Sequence, residues 1–346
     1  GLVTMVMAAW IGMFRDDLKS LLAFSTVSHL GLITMLLGFG TEAAAVAAVF
    51  HIINHATFKA ALFMTAGIID HEAGTRSILR LGGLRKLMPI TFVIGTIAAL
   101  SMAGVAPLNG FLSKELMLEE ATHAVWRGNP SIIYVMATIG AMFSVCYPLR
   151  FIWQVFFGPE RDDYPHHPHD PGFGMWVGPG LLVVLVVLIG LMPNTMAGWL
   201  VEVSAGAVTG AQQHPHFALW HGVTLALKLS VIALLGGTVL LMLNHRMIAI
   251  RDMVWRPDGK RAFDAMTRAS TCTAGWITAR LTNGSMSRAL AALSLTIVLC
   301  GLWAFSTGGY QGATRPMLDI APVAFIGWLL LIVATGCMVT FHRLRI

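Results

Sequence analysis

Residues 49–63 read VFHIINHATFKAALF, an apolar run that His51, His55 and Lys59 interrupt at intervals of four. Residues four apart on a helix rise by about 6 Å and rotate only about 40° beyond a full turn. The spacing therefore predicts a helix that carries three protonatable side chains along one face, with Asn54 beside them. What those side chains do depends on whether the helix lies in water or in lipid.

The composition identifies an integral membrane protein. Of the 346 residues, 56% are hydrophobic and 12% are charged, and the mean hydropathy is +0.72, far from the values of ordinary globular domains. The sequence contains runs of about 20 mostly apolar residues. Apolar runs of this length are typical of membrane helices and not of barrel strands, so we predict an all-α fold. The approximate predicted spans, about nine in number, are 1–14, 20–40, 43–70, 89–118, 131–157, 175–200, 219–244, 289–308 and 321–342.

Basic residues fall mainly in alternate loops. Of the 23 Lys and Arg residues, 17 lie in loops on one side, Arg127 and Arg315 lie on the other, and four lie within spans. By the positive-inside rule the basic loops are cytoplasmic, which places the C-terminal end of the chain inside. Orientation thus explains the net charge of +6, and no nucleic-acid partner is predicted.

The segment 245–288 is the longest interruption between spans. It mixes basic residues with apolar ones, which is typical of an amphipathic helix lying along the cytoplasmic interface; an ordinary basic loop with a short helix is the alternative. The apolar residues are Trp255, Phe263, Met266, Trp276, Ile277 and Leu281. The four cysteines show no C-x-x-C spacing, so neither a disulfide framework nor a zinc site is predicted.

Charged side chains at membrane depth are costly and normally face a protein interior or a hydrated path. Imidazole and a desolvated amine can both exchange protons near neutral pH. The row His51, His55 and Lys59 therefore predicts an ion or proton relay. The alternative is that the histidines are hydrogen-bonded core residues and that Lys59 extends to the cytoplasmic interface.

A second motif, SMAGVAPLNGFLSKEL at 101–116, predicts a broken helix. Pro107 removes a backbone donor inside the span, and Gly104 and Gly110 relieve the steric restraint on either side. Interrupted helices of this kind form ion sites at membrane depth in transporters.

Lys114 and Glu115 follow the predicted break. Adjacent helical residues point about 100° apart, so this pair cannot simply neutralise itself on one face. We predict that both belong to the relay. The alternative is a Pro-kinked helix whose Lys and Glu reach the outer headgroups.

Three further sets of polar residues are weaker candidates. Lys19 lies in a cytoplasmic loop and His29 in the span that follows, and a mixed-charge loop with an N-capping Asp would look the same. Lys228, near the outer end of its span, is expected to extend to the interface. The stretch YPHHPHDP at 164–171, here called the His-Pro loop, offers three His and one Asp, but no second ligand cluster accompanies it and no metal site is predicted.

Four ordered motifs, DLKSLLAFSTVSHLG, FHIINHATFKAALF, LGGLRKLMP and PLNGFLSKE, resemble the second half of the antiporter-like subunits. That superfamily is shared by the multisubunit Mrp-type cation/proton antiporters and the proton-pumping membrane arm of respiratory complex I. The resemblance covers residues 1 to about 200. It implies that His51, His55, Lys59 and Lys114 belong to a central hydrophilic axis along the membrane.

The large subunit of Mrp-type antiporters is the branch that the chain resembles most. Membrane-arm subunits of this type usually carry Ser-Lys-Asp where this chain has Ser-Lys-Glu at 113–115, and the extra span 321–342 and the His-Pro loop favour the Mrp-type branch. The family's first half is missing, so we expect an internal fragment that does not transport alone. The predicted divisions are 1–200, the second half of the module; 201–244, a further span; 245–288, the interfacial segment; and 289–346, the last spans.

The resemblance implies a component of a Na⁺ or K⁺/proton antiporter, a secondary transporter and not an enzyme, in the inner membrane of a bacterium. Other membrane subunits, the bilayer and the ions are its expected partners, and no cofactor is expected. One alternative is a proton-pumping subunit of an NADH:quinone oxidoreductase. The other is a structural scaffold without an ion path, in which Lys59 and Lys114 serve assembly alone.

Overall fold

The computed structural model describes residues 1–161, 164–218, 220, 222–253, 259–281, 286–308 and 322–341. Within them the regular structure is helical, which confirms the all-α fold class. The chain divides into two compact units, Gly1–Trp255 and Arg256–Ile346, and their boundary falls inside the predicted interfacial segment.

In its described residues the first unit contains eleven α-helices. They are α1 (Leu2–Met13), α2 (Leu18–Leu37), α3 (Glu42–Ala73), α4 (Leu84–Leu87), α5 (Pro89–Ala103), α6 (Asn109–His123), α7 (Ser131–Phe151), α8 (Phe173–Leu191), α9 (Trp199–Thr209), α10 (Leu225–Met242) and α11 (Asn244–Met253). A 3-10 turn at Ile78–Arg80 precedes α4, and a π-helical turn at Ile152–Phe157 extends α7.

Six helices of the described part are long and apolar enough to cross a membrane: α2, α3, α7 with its π-helical extension, α8, α10 and, in the second unit, Ala289–Thr307. Three shorter apolar helices, Leu2–Met13, Pro89–Ala103 and Pro322–Met338, lie in other predicted spans. Each exposes large hydrophobic side chains, as expected of a surface that faces lipid.

The region after α8 differs from the prediction of a single span at 175–200. Helix α8 ends at Leu191, and Pro193 introduces a π-helical turn at Asn194–Gly198 that leads into α9. Proline supplies no backbone donor, so the regular ladder cannot run through it. The next span is also shorter than predicted, because α10 begins at Leu225 and not near 219.

Helix α3 lies at the centre of this unit and packs against α2, α5, α6, α8 and α9. Its N-terminus is capped by Thr41, whose hydroxyl accepts a hydrogen bond from Ala44 N at 3.2 Å. It ends at Gly74, which has a φ of 68° and stops the helix in the left-handed conformation. The side chains of the sequence motif are therefore carried on a long helix with neighbours on most sides.

One end of the bundle carries the loops 14–17, 74–88, 158–161 and 164–172, and we call it the basic face. Here Asp170, in the His-Pro loop, caps α5 by accepting hydrogen bonds from Ile90 N at 2.8 Å and from Thr91 N at 3.0 Å. His169 Nδ1 lies 3.3 Å from Glu72 Oε2 near the end of α3. Within the described residues no cluster of three or more metal-ligating side chains is found.

The second unit contains α12 (Gly259–Leu281), α13 (Met286–Thr307) and α14 (Pro322–Phe341). Helix α12 is a long helix of 23 residues, and its apolar side chains Phe263, Met266, Trp276 and Ile277 are exposed. This helix lies within the predicted amphipathic segment, whose position at the interface stays a prediction. Trp255, Arg315 and residues 342–346 lie outside the described residues.

Candidate functional site

The chain leaves its helical path between α5 and α6. Helix α5 ends at Ala103, Gly104 follows with a φ of 87°, and α6 begins at Asn109 after a cis Ala106–Pro107 peptide. A Cβ at Gly110 would lie 1.9 Å from the backbone oxygen of Ser101. Only glycine therefore allows the start of α6 to approach the end of α5 this closely.

Asparagine side chains join this interruption to α3. Asn54 Nδ2 donates to the Asn109 backbone oxygen at 3.1 Å, and Asn109 Nδ2 donates back to Asn54 Oδ1 at 3.1 Å. Ser101 Oγ donates to Asn109 Oδ1 at 2.6 Å. All three side chains are buried, so the predicted site residue Asn54 joins the start of α6 to α3.

Histidines from α2 and α3 form a buried cluster close to this interruption. His29 Nδ1 lies 2.9 Å from His51 Nε2, and His51 Nδ1 lies 2.9 Å from Ser113 Oγ on α6. An imidazole nitrogen either donates or accepts, according to the tautomer. The contacts thus form a continuous row of groups that can pass a proton between three helices.

His55 lies beside the other two rings. Its ring centroid is 5.1 Å from that of His29 and 6.1 Å from that of His51, and Phe58 packs against all three rings. His55 Nε2 is buried and has no hydrogen-bond partner within the described part of the chain. A buried polar atom without a partner is unusual and marks a position that a water molecule or a moving proton could occupy.

The two predicted lysines lie inside the bundle. Lys59 is 4% exposed and Lys114 is 6% exposed. Lys59 Nζ donates to Leu22 O at 3.2 Å and to Ser25 Oγ, whereas Lys114 Nζ donates to Ser144 Oγ at 2.9 Å and to Ala103 O at 3.3 Å. Both amines are therefore held inside the bundle by oxygens of the protein.

Neutral oxygens surround both amines. No carboxylate in the described part of the chain lies within ion-pair distance of either nitrogen. Glu115 is 9% exposed and lines a small cavity with Glu119 and Phe217, away from the cavity that Lys114 lines. The adjacent Lys and Glu thus point into different surroundings, as their spacing predicts.

Helix α7 contributes two residues that sequence reasoning missed, Ser144 and Tyr147. Tyr147 is fully buried, and its hydroxyl lies 3.5 Å from His29 Nε2. Ser144 accepts from Lys114, as described above. The only sequence signal was their spacing of three residues, which puts two hydroxyls on one face of an otherwise apolar helix.

Lys19 lies in a different environment at the basic face. Its Nζ is 2.7 Å from Asp70 Oδ2, and both side chains are partly exposed. Nearby ion pairs join Arg76 to Asp17 and Arg150 to Asp16. Of the predicted residues, the structure brings together His29, His51, His55, Lys59 and Lys114, and it pairs Lys19 with Asp70 at the basic face.

The sequence of the first unit matches a known family. Residues 1–144 match the family described as NADH:quinone oxidoreductase/Mrp antiporter, TM. A protein of Rhizobium meliloti named as a probable K⁺/H⁺ antiporter subunit is 40% identical over 99% of this chain and 35% of its own length. The chain belongs to this family.

Two further relatives support membership of this family. A protein of Alkalihalophilus pseudofirmus named as a Na⁺/H⁺ antiporter subunit is 34% identical over 97% of this chain and 45% of its own length. In a solved structure of the Mrp complex from Dietzia sp., one chain is 32% identical with a TM-score of 0.71, over 98% of this chain and 36% of that one. This chain therefore spans less than half the length of the relatives that it matches.

Respiratory complex I from Thermus thermophilus is a more distant match. One of its chains is 26% identical with a TM-score of 0.52, and the match covers 60% of this chain and 43% of that chain. The likeness to the Mrp complex is therefore both closer in sequence and more complete.

Proposed function

We propose that this chain is part of the large subunit of a multisubunit monovalent cation/proton antiporter and carries part of its intramembrane relay. One observation carries the proposal: in the described part of the chain, buried Lys59 and Lys114 have neutral oxygens as partners, and His29 on α2 is hydrogen-bonded to His51 on α3. The relatives named as Na⁺/H⁺ or K⁺/H⁺ antiporter subunits support it.

The physical basis is the way buried charge is compensated. An ammonium group away from water is unfavourable unless a counter-charge or good donors and acceptors surround it. When the partners are neutral, losing the proton leaves no unpaired carboxylate behind, so the charged and uncharged states differ less in free energy. Such an amine is suited to exchanging protons with neighbouring imidazoles.

In the proposed transporter, proton entry drives sodium or potassium export. Each charge that moves down the membrane potential releases about 2.3 kcal/mol per 100 mV. His51, His55, Lys59, Lys114 and Glu115 are the proposed relay residues, with His29 as a further member. Asn54 keeps the interrupted helix in place, and Lys19 lies at the basic face, where its role is to anchor helices.

The membrane arrangement belongs to the same proposal. The chain has about nine spans in the inner membrane of a bacterium, and its basic face and C-terminal end are cytoplasmic. Helices α11 and α12 lie along the cytoplasmic interface and brace neighbouring helices or subunits. Further membrane subunits complete the antiporter, and the protein is a transporter component without a redox cofactor.

A redox-driven proton pump is the second candidate, because the matched family includes NADH:quinone oxidoreductase subunits. It uses the same relay but takes its energy from electron transfer in other subunits. The two candidates differ in their response to cations, which is the basis of the test.

The test uses inverted membrane vesicles that contain the complete multisubunit complex and are energised by a respiratory substrate. A pH-gradient dye reports proton movement when sodium or potassium is added. We expect a cation-dependent collapse of the gradient that is lost in Lys59→Met at matched expression. Lys228→Met is the control, because Lys228 is an exposed lysine of α10 and should keep the wild-type response.

Two results would contradict the proposal. A wild-type complex with no cation response but with NADH-dependent acidification would identify the redox pump. Normal exchange per assembled complex in Lys59→Met would favour the structural scaffold and remove Lys59 from the relay.

A further inference from the structure

We infer that Ser144 and Tyr147 of α7 form a hydroxyl bridge that carries protons between Lys114 and the histidine cluster. This inference rests on the proposed function and assigns a path within it. None of the sequence motifs described above contains either residue, and the path depends on contacts that only the folded chain creates.

Contacts on both sides of α7 support the bridge. Lys114 Nζ donates to Ser144 Oγ at 2.9 Å, and the Tyr147 hydroxyl lies 3.5 Å from His29 Nε2. Ser144 and Tyr147 are three residues apart on α7, so their hydroxyls lie on one face of the helix, where Ser144 Oγ donates to Ala141 O at 2.8 Å. Lys114, Ser144, Tyr147 and His29 therefore lie in order along one route, and the step from Ser144 to Tyr147 requires the Ser144 hydroxyl to turn away from Ala141 O.

Other contacts of Lys114 cannot replace this row. Within the described residues its second hydrogen-bond partner is the backbone oxygen of Ala103, 3.3 Å away. An amide oxygen accepts a hydrogen bond but has no proton of its own to pass on. Hydroxyls both donate and accept, so Ser144 and Tyr147 are the groups on this route that can relay a proton.

The transfer balances without any other reactant. The Lys114 ammonium gives a proton to Ser144 Oγ as the Ser144 hydroxyl proton moves to Tyr147 and the phenol proton moves to His29 Nε2. Lys114 becomes a neutral amine, both hydroxyls are restored, and His29 becomes an imidazolium. His29 then releases a proton from Nδ1 to His51 Nε2, which lies 2.9 Å away.

Packing is the alternative role for Tyr147. The ring lies fully buried in the main core cluster, where it contacts aromatic and aliphatic side chains. Phenylalanine preserves the ring and removes only the hydroxyl, so Tyr147→Phe separates the two roles. Tyr134→Phe is a matched control on the same helix, because that hydroxyl contacts Ser131 Oγ at 3.2 Å outside the relay.

The experiment measures cation-dependent proton exchange by the complete complex in inverted vesicles, at equal assembly, across a range of pH. We expect Tyr147→Phe and Ser144→Ala each to lower the rate by at least about tenfold and to alter its pH dependence. The double variant should be no slower than the slower single variant, because both changes interrupt one path. Tyr134→Phe should match the wild type.

The outcomes distinguish this inference from the proposed function. Wild-type exchange and a wild-type pH profile in Tyr147→Phe would overturn the bridge while leaving the antiporter intact. Rate losses that multiply in the double variant would also overturn it, because they would show two independent effects. Absence of exchange in the wild-type complex would refute the proposed function and this inference together.

Discussion

The buried lysines and the lysine at the basic face are the same residue type in opposite settings. Lys59 lies inside the bundle, where its amine contacts a hydroxyl and a backbone oxygen. Lys19 is 42% exposed and is paired with the carboxylate of Asp70 at 2.7 Å. The nearby arginines Arg76 and Arg150 also have carboxylate partners.

This difference separates fixed charge from exchangeable charge. A carboxylate beside a cation favours its charged form and holds the proton in place. Water at the basic face weakens such an ion pair. The pair therefore fixes the relative position of two helices and adds little to stability. Inside the bundle a neutral partner leaves the proton free to move. We therefore propose that the lysines with neutral partners serve transport and that the cations paired with carboxylates serve anchoring.

The largest expected effect comes from giving a buried lysine a carboxylate. Ser25 is fully buried and contacts Lys59 Nζ, so Ser25→Asp would place a negative charge beside the amine. We expect cation-dependent exchange to fall by at least about tenfold, because the ion pair retains the proton. The measurement is the same vesicle assay at equal assembly.

Ser25→Asn is the matched control, because it has nearly the same size and carries no charge. It should lower exchange much less than Ser25→Asp. Equal rates in the two variants would show that steric change at this position, and not a fixed charge, determines the loss.

An intermediate effect is expected from Arg150, a buried cation that belongs to the anchoring set. Arg150 is 3% exposed and donates to Met13 O at 2.8 Å and to Arg15 O at 3.0 Å, at the end of α1. Arg150→Met would leave these carbonyls without a partner and should lower the free energy of unfolding by about 2 kcal/mol. Thermal unfolding of the purified complex would measure this.

Arg161→Met provides the comparison for Arg150, because Arg161 is exposed and its hydrogen bond within the described residues, to Leu79 O, is long at 3.3 Å. The free energy of unfolding of Arg161→Met should differ from that of the wild type by less than about 0.5 kcal/mol. Exchange per assembled Arg150→Met complex should equal that of the wild type. A large loss of exchange without a loss of stability would move Arg150 into the relay.

Local patterns in the sequence were sufficient for the membrane character and for the row on α3. Hydropathy predicts apolar helices because lipid leaves the backbone no other partners. The spacing of His51, His55 and Lys59 specifies one face of a helix wherever that helix lies. Pro107 and its flanking glycines predicted a broken helix for an equally local reason, the loss of a backbone donor.

The partners of these residues could not be predicted, since each lies far away in the chain. Tyr147 reaches His29 across 118 positions, and Asp70 reaches Lys19 across 51. Such pairs depend on which helices become neighbours, and a single sequence carries no local sign of that. Lys19 is an example, because the sequence alone does not distinguish a lysine of the relay from a lysine that is paired with a distant carboxylate.

The smallest expected effect comes from removing the Lys19–Asp70 pair. Both side chains are partly exposed, so the pair contributes about 0–1 kcal/mol to stability. We expect Lys19→Met and Asp70→Asn each to change exchange by less than about twofold and to shift thermal unfolding only slightly.

Exchange measured at low and high salt provides a second readout, because screening should reproduce the effect of the substitutions on an exposed pair. A loss in Lys19→Met as large as that in Lys59→Met would show that protons pass through this ion pair. The distinction between anchored and exchangeable lysines would then fail at the basic face.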